Sequence, residues 1–351
     1  MADAPLLELT RGSLVESVHR GSIAVVDANG KLLHSHGDPQ MVAFLRSSAK
    51  PFQALPFVEH GGVKHFGLTP RELALACASH EGSALHLETV LGMQKKIGIQ
   101  ETQLQCGVHM PGDAAMFDSL VRSSAQPGPN LNNCSGKHTA MLAYAKMRDW
   151  PLDSYLELDH PIQQDILTTF AEMCGIEREE IEIGVDGCSA PNFAVPLFNA
   201  ALGLARLADP RGLPDARGSA CREITAAMTA HSEMISGPGE FDCELMKAGA
   251  GKIVCKRGAE GYQAIGLLAG VLGPDSPGIG ITFKVSDGDG ARMSHEVSTR
   301  ARPAVALETL RQLGALSEAQ LQALSGFGPA RPIVNHRGLV TGEMCPAFTL
   351  E

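Results

Sequence analysis

Ser47 stands three residues before Lys50 in the stretch Arg46-Ser47-Ser48-Ala49-Lys50, and Pro51 follows. A spacing of i and i+3 brings both side chains to one face of a helical turn. An uncharged amine there can take the hydroxyl proton and leave an alkoxide. An alkoxide attacks carbonyl carbon, so the chemistry would be acyl transfer. A free lysine is charged at neutral pH, with a pKa of about 10.4. Burial or neighbouring cations would have to lower it, and Arg46 is one such cation. The spacing alone reads equally well as a solvated polar turn before a proline.

Four other segments bear on the choice. Cys77–Gly82, CASHEG, follows an expected helix and offers Ser79 and His80, either as a capping turn or facing a pocket. Asn132–His138, NNCSGKH, crowds Asn133, Cys134, Lys137 and His138 at the start of another expected helix. Open amides at a helix start suit an anion or a carboxylate. The segment 185–193, VDGCSAPNF, ends an apolar strand with Asp186, whose carboxylate can hold a substrate ammonium. Cys134 and Cys188 together offer two thiolates to zinc. No CxxC or HExxH accompanies them, so two buried thiols remain the simpler reading on spacing alone. Lys256 opens a Lys-x-Gly on an expected late strand. Ser-x-x-Lys early and Lys-x-Gly late is the order found in serine β-lactamases and penicillin-binding proteins, which strengthens the reading of Ser47 as a nucleophile.

The elements that must hold these groups follow from the rest of the 351 residues. A content of 44% apolar and 19% charged residues is that of an ordinary globular chain, long enough for one large domain or two subdomains. The net charge of -10 argues against nucleic acid as a main partner. No run of 18 apolar residues suggests a membrane span, and the first residues do not read as a secretory leader. Nine cysteines, an odd number, with no such leader suggest free thiols in the cytoplasm. Asn29-Gly30 marks a hairpin over 22–34. Helical periodicity covers 69–77, 83–97, 137–148, 160–174 and 219–233, and returns over 303–323. From about residue 250 the chain is β-rich, with a further hairpin expected at Ser286–Gly290, and residues 331–348 read as extended. Strands at both ends and helices between them imply an α/β fold. One sheet is expected from about 1–50 plus 250–351, with a helix-rich part over 51–249 and a further helix on the sheet, all in one catalytic domain.

Taken together these segments resemble the L-asparaginase family typified by the inducible Rhizobium etli enzyme, the type 3 or asparaginase II family. The resemblance runs along nearly the whole chain. It includes RGSLVESVHRG (11–21), RSSAKPFQAL, CASHEG, CGVHMP (106–111), NNCSGKH, DHPIQ (159–163), DGCSAPNFAVPL, GEFDCELM (239–246) and CKRGAEGYQAIG. It implies a serine β-lactamase/glutaminase-like fold and hydrolysis of L-asparagine to L-aspartate and ammonia. It gives Ser47 the nucleophile's role with Lys50 as partner, and makes Ser79 and Lys256 a second Ser-Lys pair that relays protons. Arg46, His80, Asn133, His138 and Asp186 are expected at the substrate, Asp186 on its ammonium. Cys134, Lys137 and Cys188 are expected to bind a zinc ion that tunes affinity rather than drives catalysis. A homodimer is implied as well. One departure is that Asp242 stands where the family has a cysteine, with Cys243 one position later, so no role is carried to it.

Two other enzyme readings stay open. A glutaminase differs by one methylene of substrate, worth about 1–3 kcal/mol in a fitted pocket. A β-lactamase-like hydrolase would share the Ser-Lys chemistry, though such enzymes act outside the cytoplasm. A binding protein that had lost turnover would be expected to have lost Ser47, Lys50, Ser79 or Lys256.

Overall fold

The computed structural model describes residues 3–289 and 300–351. The strands are β1 (Ala4–Arg11), β2 (Leu14–Asp27), β3 (Leu32–His36), β4 (Val42–Phe44), β5 (Glu182–Val185), β6 (Pro191–Pro196), β7 (Ile253–Arg257), β8 (Tyr262–Leu267), β9 (Ile279–Val285), β10 (Arg331–Val334) and β11 (Val340–Pro346). The helices are α1 (Lys50–Glu59), α2 (Gly62–Phe66), α3 (Pro70–Ala76), α4 (Ala84–Ile97), α5 (Ala114–Ser123), α6 (Ser135–Met147), α7 (Pro161–Cys174), α8 (Leu197–Ala208), α9 (Asp215–Ala230), α10 (Ser232–Ile235), α11 (Phe241–Ala248), α12 (Ala301–Gln312) and α13 (Glu318–Ala323). Among the described residues no helix is long and apolar enough to cross a membrane.

The chain divides into two compact units. The first comprises 1–45, 195–209 and 244–351. It is built on an antiparallel sheet in the order β10-β11-β1-β2-β9-β8-β7, with β3 paired to β2. The sheet is thus drawn from both chain ends, as expected. Strands β8 and β9 are almost wholly buried, which fits apolar runs covered on both faces. Helix α8 lies so close to β9 that a Cβ on Gly280 would sit 1.8 Å from the carbonyl oxygen of Ala201. Periodicity did not single out this helix, which lies within the stretch 51–249 expected to be helix-rich; its apolar stripe covers the sheet. The first strand of the hairpin expected at 286–290 is β9, and its second strand falls outside the described residues.

The second unit comprises 46–194 and 210–243. It is helical apart from the antiparallel pair β5–β6. Its helices start where the sequence signals place them. Thr69 and Glu72 form a reciprocal cap on α3, and Ser83 and His86 do the same on α4. Phe52, Phe57, Phe170, Phe193 and Tyr144 fill the core. Helix α6 is buried on every side from Ser135 to Ala145, so its small residues are packing surfaces all round. It passes close to α3 at Gly136, where a Cβ would lie 2.2 Å from the Leu75 carbonyl oxygen.

Gly136→Ala therefore tests that approach. Alanine gains about 1 kcal/mol of helix propensity over glycine. A clash with backbone oxygen cannot be relieved by turning a side chain, and overpacking of this kind costs about 1–3 kcal/mol. The expected outcome is a net loss of stability, read as a lower midpoint of urea unfolding; an unchanged or higher midpoint would contradict the packing described.

Candidate active site

The turn Arg46–Ala49 is a single 3-10 turn that runs directly into α1. Arg46 enters it at a φ of 52°, in the left-handed region that a side chain rarely occupies. Two contacts hold it there. Its N–H donates to Asn192 Oδ1 at 3.0 Å, and its Nε donates to Asp186 Oδ1 at 2.7 Å. Strained backbone of this sort persists only where its surroundings fix it. The consequence is the placement of the next two residues: Ser47 is half-buried, whereas Ser48 is fully buried.

Lys50 is 1% exposed and all three of its amine hydrogens have partners. Nζ lies 2.5 Å from the Ala78 carbonyl oxygen, 2.8 Å from Ser79 Oγ and 3.4 Å from the Asn133 carbonyl oxygen. The Ser-x-x-Lys spacing thus puts the amine one turn beyond Ser47, yet its hydroxyl partner here is Ser79. Among the described residues Ser47 Oγ makes no hydrogen bond. Ser79 is fixed by its own N–H, which donates to the Ile235 carbonyl at 2.9 Å.

The two cysteines and the lysine between them converge. Lys137 Nζ donates to Cys188 Sγ at 2.9 Å, while the Cys134 thiol lies 3.1 Å from Asn133 Oδ1. Cys134 caps the N-terminus of α6, where the helix dipole favours negative charge. The neighbouring Cys188 side chain outweighs burial and, with the charges of Lys50 and Lys137, holds the Cys134 thiol well below its usual range. Cys188, buried beside Cys134, is pushed up. Burial pulls Lys137 down, but the two sulfurs outweigh it and keep the amine charged.

Asp186 ends β5 in a tight turn through Gly187 to Ser189, which has a φ of 69°. Burial disfavours its carboxylate; Lys137 and Arg46 outweigh that and hold it below the usual range. It therefore carries its negative charge already paired, and a substrate ammonium would share it with Arg46.

Two expected substrate contacts are placed otherwise. His80 is enclosed, and both ring nitrogens are taken: Nδ1 accepts the Gly82 N–H at 3.1 Å, and Nε2 donates to Ser135 Oγ at 2.9 Å. Ser135 passes its own hydrogen to the Asn130 carbonyl at 3.0 Å. His80 ties CASHEG to NNCSGKH and has no nitrogen left for a substrate. His138 is fully buried, with Nδ1 2.6 Å from the Tyr155 hydroxyl and Nε2 without a hydrogen-bond partner. Asn133 is half-buried, and its carbonyl serves Lys50 and the His80 N–H. Lys256 lies in β7 of the first unit, paired with Ala264 of β8; it is buried and donates to the Arg257 carbonyl at 2.9 Å. Asp242 is fully buried, and Cys243 Sγ is 3.5 Å from Ser232 Oγ.

Asn192, Tyr155 and the carbonyl of Ala78 were not foreseen, although Asn192 lies inside DGCSAPNF. Backbone acceptors leave no mark on a sequence.

The trio fits a zinc ion by its chemistry: two sulfurs and a nitrogen meet, with the unpartnered Nε2 of His138 beside them. Among the described residues no three His, Cys, Asp or Glu side chains converge as ligands, so a lysine amine would have to supply the third donor. It must lose its proton to do so.

Burial and the neighbouring charges of His86 and Lys50 hold His80 well below the ordinary histidine range. The unfolded chain takes this proton near pH 6.5 and the folded chain does not, so stability is complete above that pH and falls below it. Urea midpoints measured from pH 7.5 down to 5 should decline, and more shallowly in His80→Gln. Equal slopes would contradict the neutral buried ring.

A family model described as L-asparaginase II matches residues 7–346. No curated protein matches the sequence. Solved structures with some likeness include Mglu in its native form, at 13% identity, covering 86% of this chain and 66% of that one, with a TM-score of 0.42. A Bacillus subtilis glutaminase in covalent complex with 5-oxo-L-norleucine is 13% identical, with 89% and 93% covered and a TM-score of 0.39. A β-lactamase from Burkholderia ambifaria is 16% identical, with 83% and 95% covered and a TM-score of 0.37. This chain spans just under two thirds of the length of Mglu. Likeness at these scores carries no argument about chemistry.

Proposed function

The chain belongs to the L-asparaginase II family of amidohydrolases, and from that premise we propose that it hydrolyses the side-chain amide of L-asparagine to L-aspartate and ammonia through an acyl-enzyme on Ser47. The observation that carries this reading is the buried Lys50 amine, one turn from Ser47 and 2.8 Å from the Ser79 hydroxyl. It joins a nucleophile's neighbour to a second hydroxyl in one short line.

Lys50 must first give up one of its three amine hydrogens; uncharged, it takes the Ser47 proton as Oγ attacks the amide carbon. The tetrahedral oxyanion that forms needs backbone N–H donors. When it collapses, the carbon–nitrogen bond breaks. The proton passes from Lys50 through Ser79 to the leaving nitrogen, which departs as ammonia. Water then attacks the ester, gives a proton back through Lys50 to Ser47, and releases aspartate. The resemblance alone assigns Lys256 to the same relay. Arg46 and Asp186 form an ion pair with one charge of each sign, suited to the carboxylate and the ammonium of an α-amino acid.

Zinc belongs to the same proposal, held by Cys134, Lys137 and Cys188. Bound there it would supply a fixed positive charge beside Lys50, which favours the uncharged amine. A homodimer and a Rhizobium etli-type specificity remain part of the reading through the resemblance.

Ammonia release from asparagine, glutamine and β-aspartylhydroxamate, with and without chelator, tests the assignment. Asparagine should be the preferred amide. Ser47→Ala and Lys50→Met should each lower turnover at least about 10³-fold, since members of a nucleophile–base unit fail together. Normal ammonia release by either variant would sink the mechanism. Metal-free protein should take up about one zinc per chain and release protons as it does so. Cys188→Ser should abolish the uptake; equal uptake by that variant would remove the trio as the ligand set.

A further inference from the structure

His109 lies in the segment CGVHMP, which no role above absorbs. The chain over 107–126 leaves only Pro111 buried, so this stretch is a surface strap. Its first part is nevertheless tied down at the two segments that hold Lys50. Asn132 Nδ2 donates to the carbonyls of Cys106 and Gly107, at 2.9 and 3.2 Å. The Asp113 N–H donates to the Glu81 carbonyl at 2.8 Å. Pro111 is packed so close to Gly82 that a Cβ there would lie 2.9 Å from the proline Cβ.

The side chain of His109 makes the remaining tie. Its Nδ1 is 2.7 Å from the Met110 carbonyl oxygen, and its Nε2 is 3.0 Å from the Asn133 N. A carbonyl oxygen can only accept, so Nδ1 carries the hydrogen. Nε2 then presents a lone pair, and the Asn133 N–H donates to it. Both contacts agree on a single neutral tautomer. On the other side of Asn133, its carbonyl takes the Lys50 amine at 3.4 Å and the His80 N–H at 3.2 Å. An exposed ring thereby fixes the residue whose carbonyl helps aim a buried amine.

We propose that His109 is a positioning residue for Lys50, acting through Asn133 by accepting its backbone N–H. The proposal rests on the reading of Lys50 as the proton carrier of the reaction. His109 touches neither the reacting groups nor, on this account, the substrate. Its loss should therefore act on the chemical step.

The experiment compares His109→Ala and His109→Gln with the wild-type protein. Glutamine offers an amide oxygen that can accept the same N–H, and alanine offers none. In His109→Ala water takes over the Asn133 N–H and the residue is no longer fixed, so kcat should fall about tenfold or more with KM within about threefold. His109→Gln should keep most of kcat. The second readout is independent of turnover: amide hydrogen exchange in the peptide that includes Asn133 should quicken in His109→Ala and stay slow in His109→Gln. Equal loss in both variants, a rise in KM at unchanged kcat, or unaltered exchange in His109→Ala would each overturn the proposal. If the wild-type protein hydrolyses no amide, the functional reading fails, and the exchange comparison still decides whether His109 fixes Asn133.

Discussion

The Lys50 amine is the point on which the helical unit's chemistry turns. An ammonium-type group taken out of water needs every hydrogen satisfied, or the unit loses several kcal/mol. Here the partners are the carbonyl of Ala78, the hydroxyl of Ser79 and the carbonyl of Asn133. These come from two segments far apart in sequence, CASHEG and NNCSGKH, and each has to be held at the right place. His80 performs that task by bridging the segments through Gly82 and Ser135. The close pass of α6 over α3 at Gly136 fixes the same two segments from behind. Much of what looks like active-site polarity is therefore scaffolding for one amine.

Charge is arranged around that amine in alternation. Arg46 faces Asp186, Asp186 feels Lys137, and Lys137 faces the two sulfurs of Cys188 and Cys134. No member of this series is buried without an opposite partner, which is the condition for keeping charge in a low-dielectric place. The series also shows why the metal question and the substrate question are coupled. A cation at the sulfurs would displace the proton of Lys137 and take its place as the positive charge that Asp186 feels.

The sequence made the broad fold legible because its signals were local. Caps at Thr69 and Ser83, the turn at Asn29-Gly30 and the late apolar strands all appear where the short-range rules put them. The position of α8 was not legible. An apolar helical stripe says that it must be covered, and leaves open whether a helix or a sheet does the covering. At the candidate site, residue types and spacing offered Ser47, Lys50, Ser79, Cys134, Lys137, Asp186 and Cys188 as candidates, the resemblance gave them roles, and geometry brings Lys50 to Ser79 and Lys137 to Cys188. Spacing paired Lys50 with Ser47, because i and i+3 describe one turn and cannot register a partner from another segment. The resemblance placed His80 at the substrate, and residue type could not object, because a histidine in a polar loop looks the same whether its nitrogens are open or occupied.

The long reach of the sheet has a bearing on how the chain is made. Strand β1 pairs on one side with β2 and on the other with β11, where Leu7 lies opposite Pro346. Strand β1 thus waits for β11, which follows every other strand described above. Until then the β1 edge that β11 will cover has its N–H and C=O groups unpaired, and such an edge invites pairing with other chains. Pairings this distant also close the largest loops and form slowly. The sheet can close only once β11 has been made, so its completion is a late event in folding.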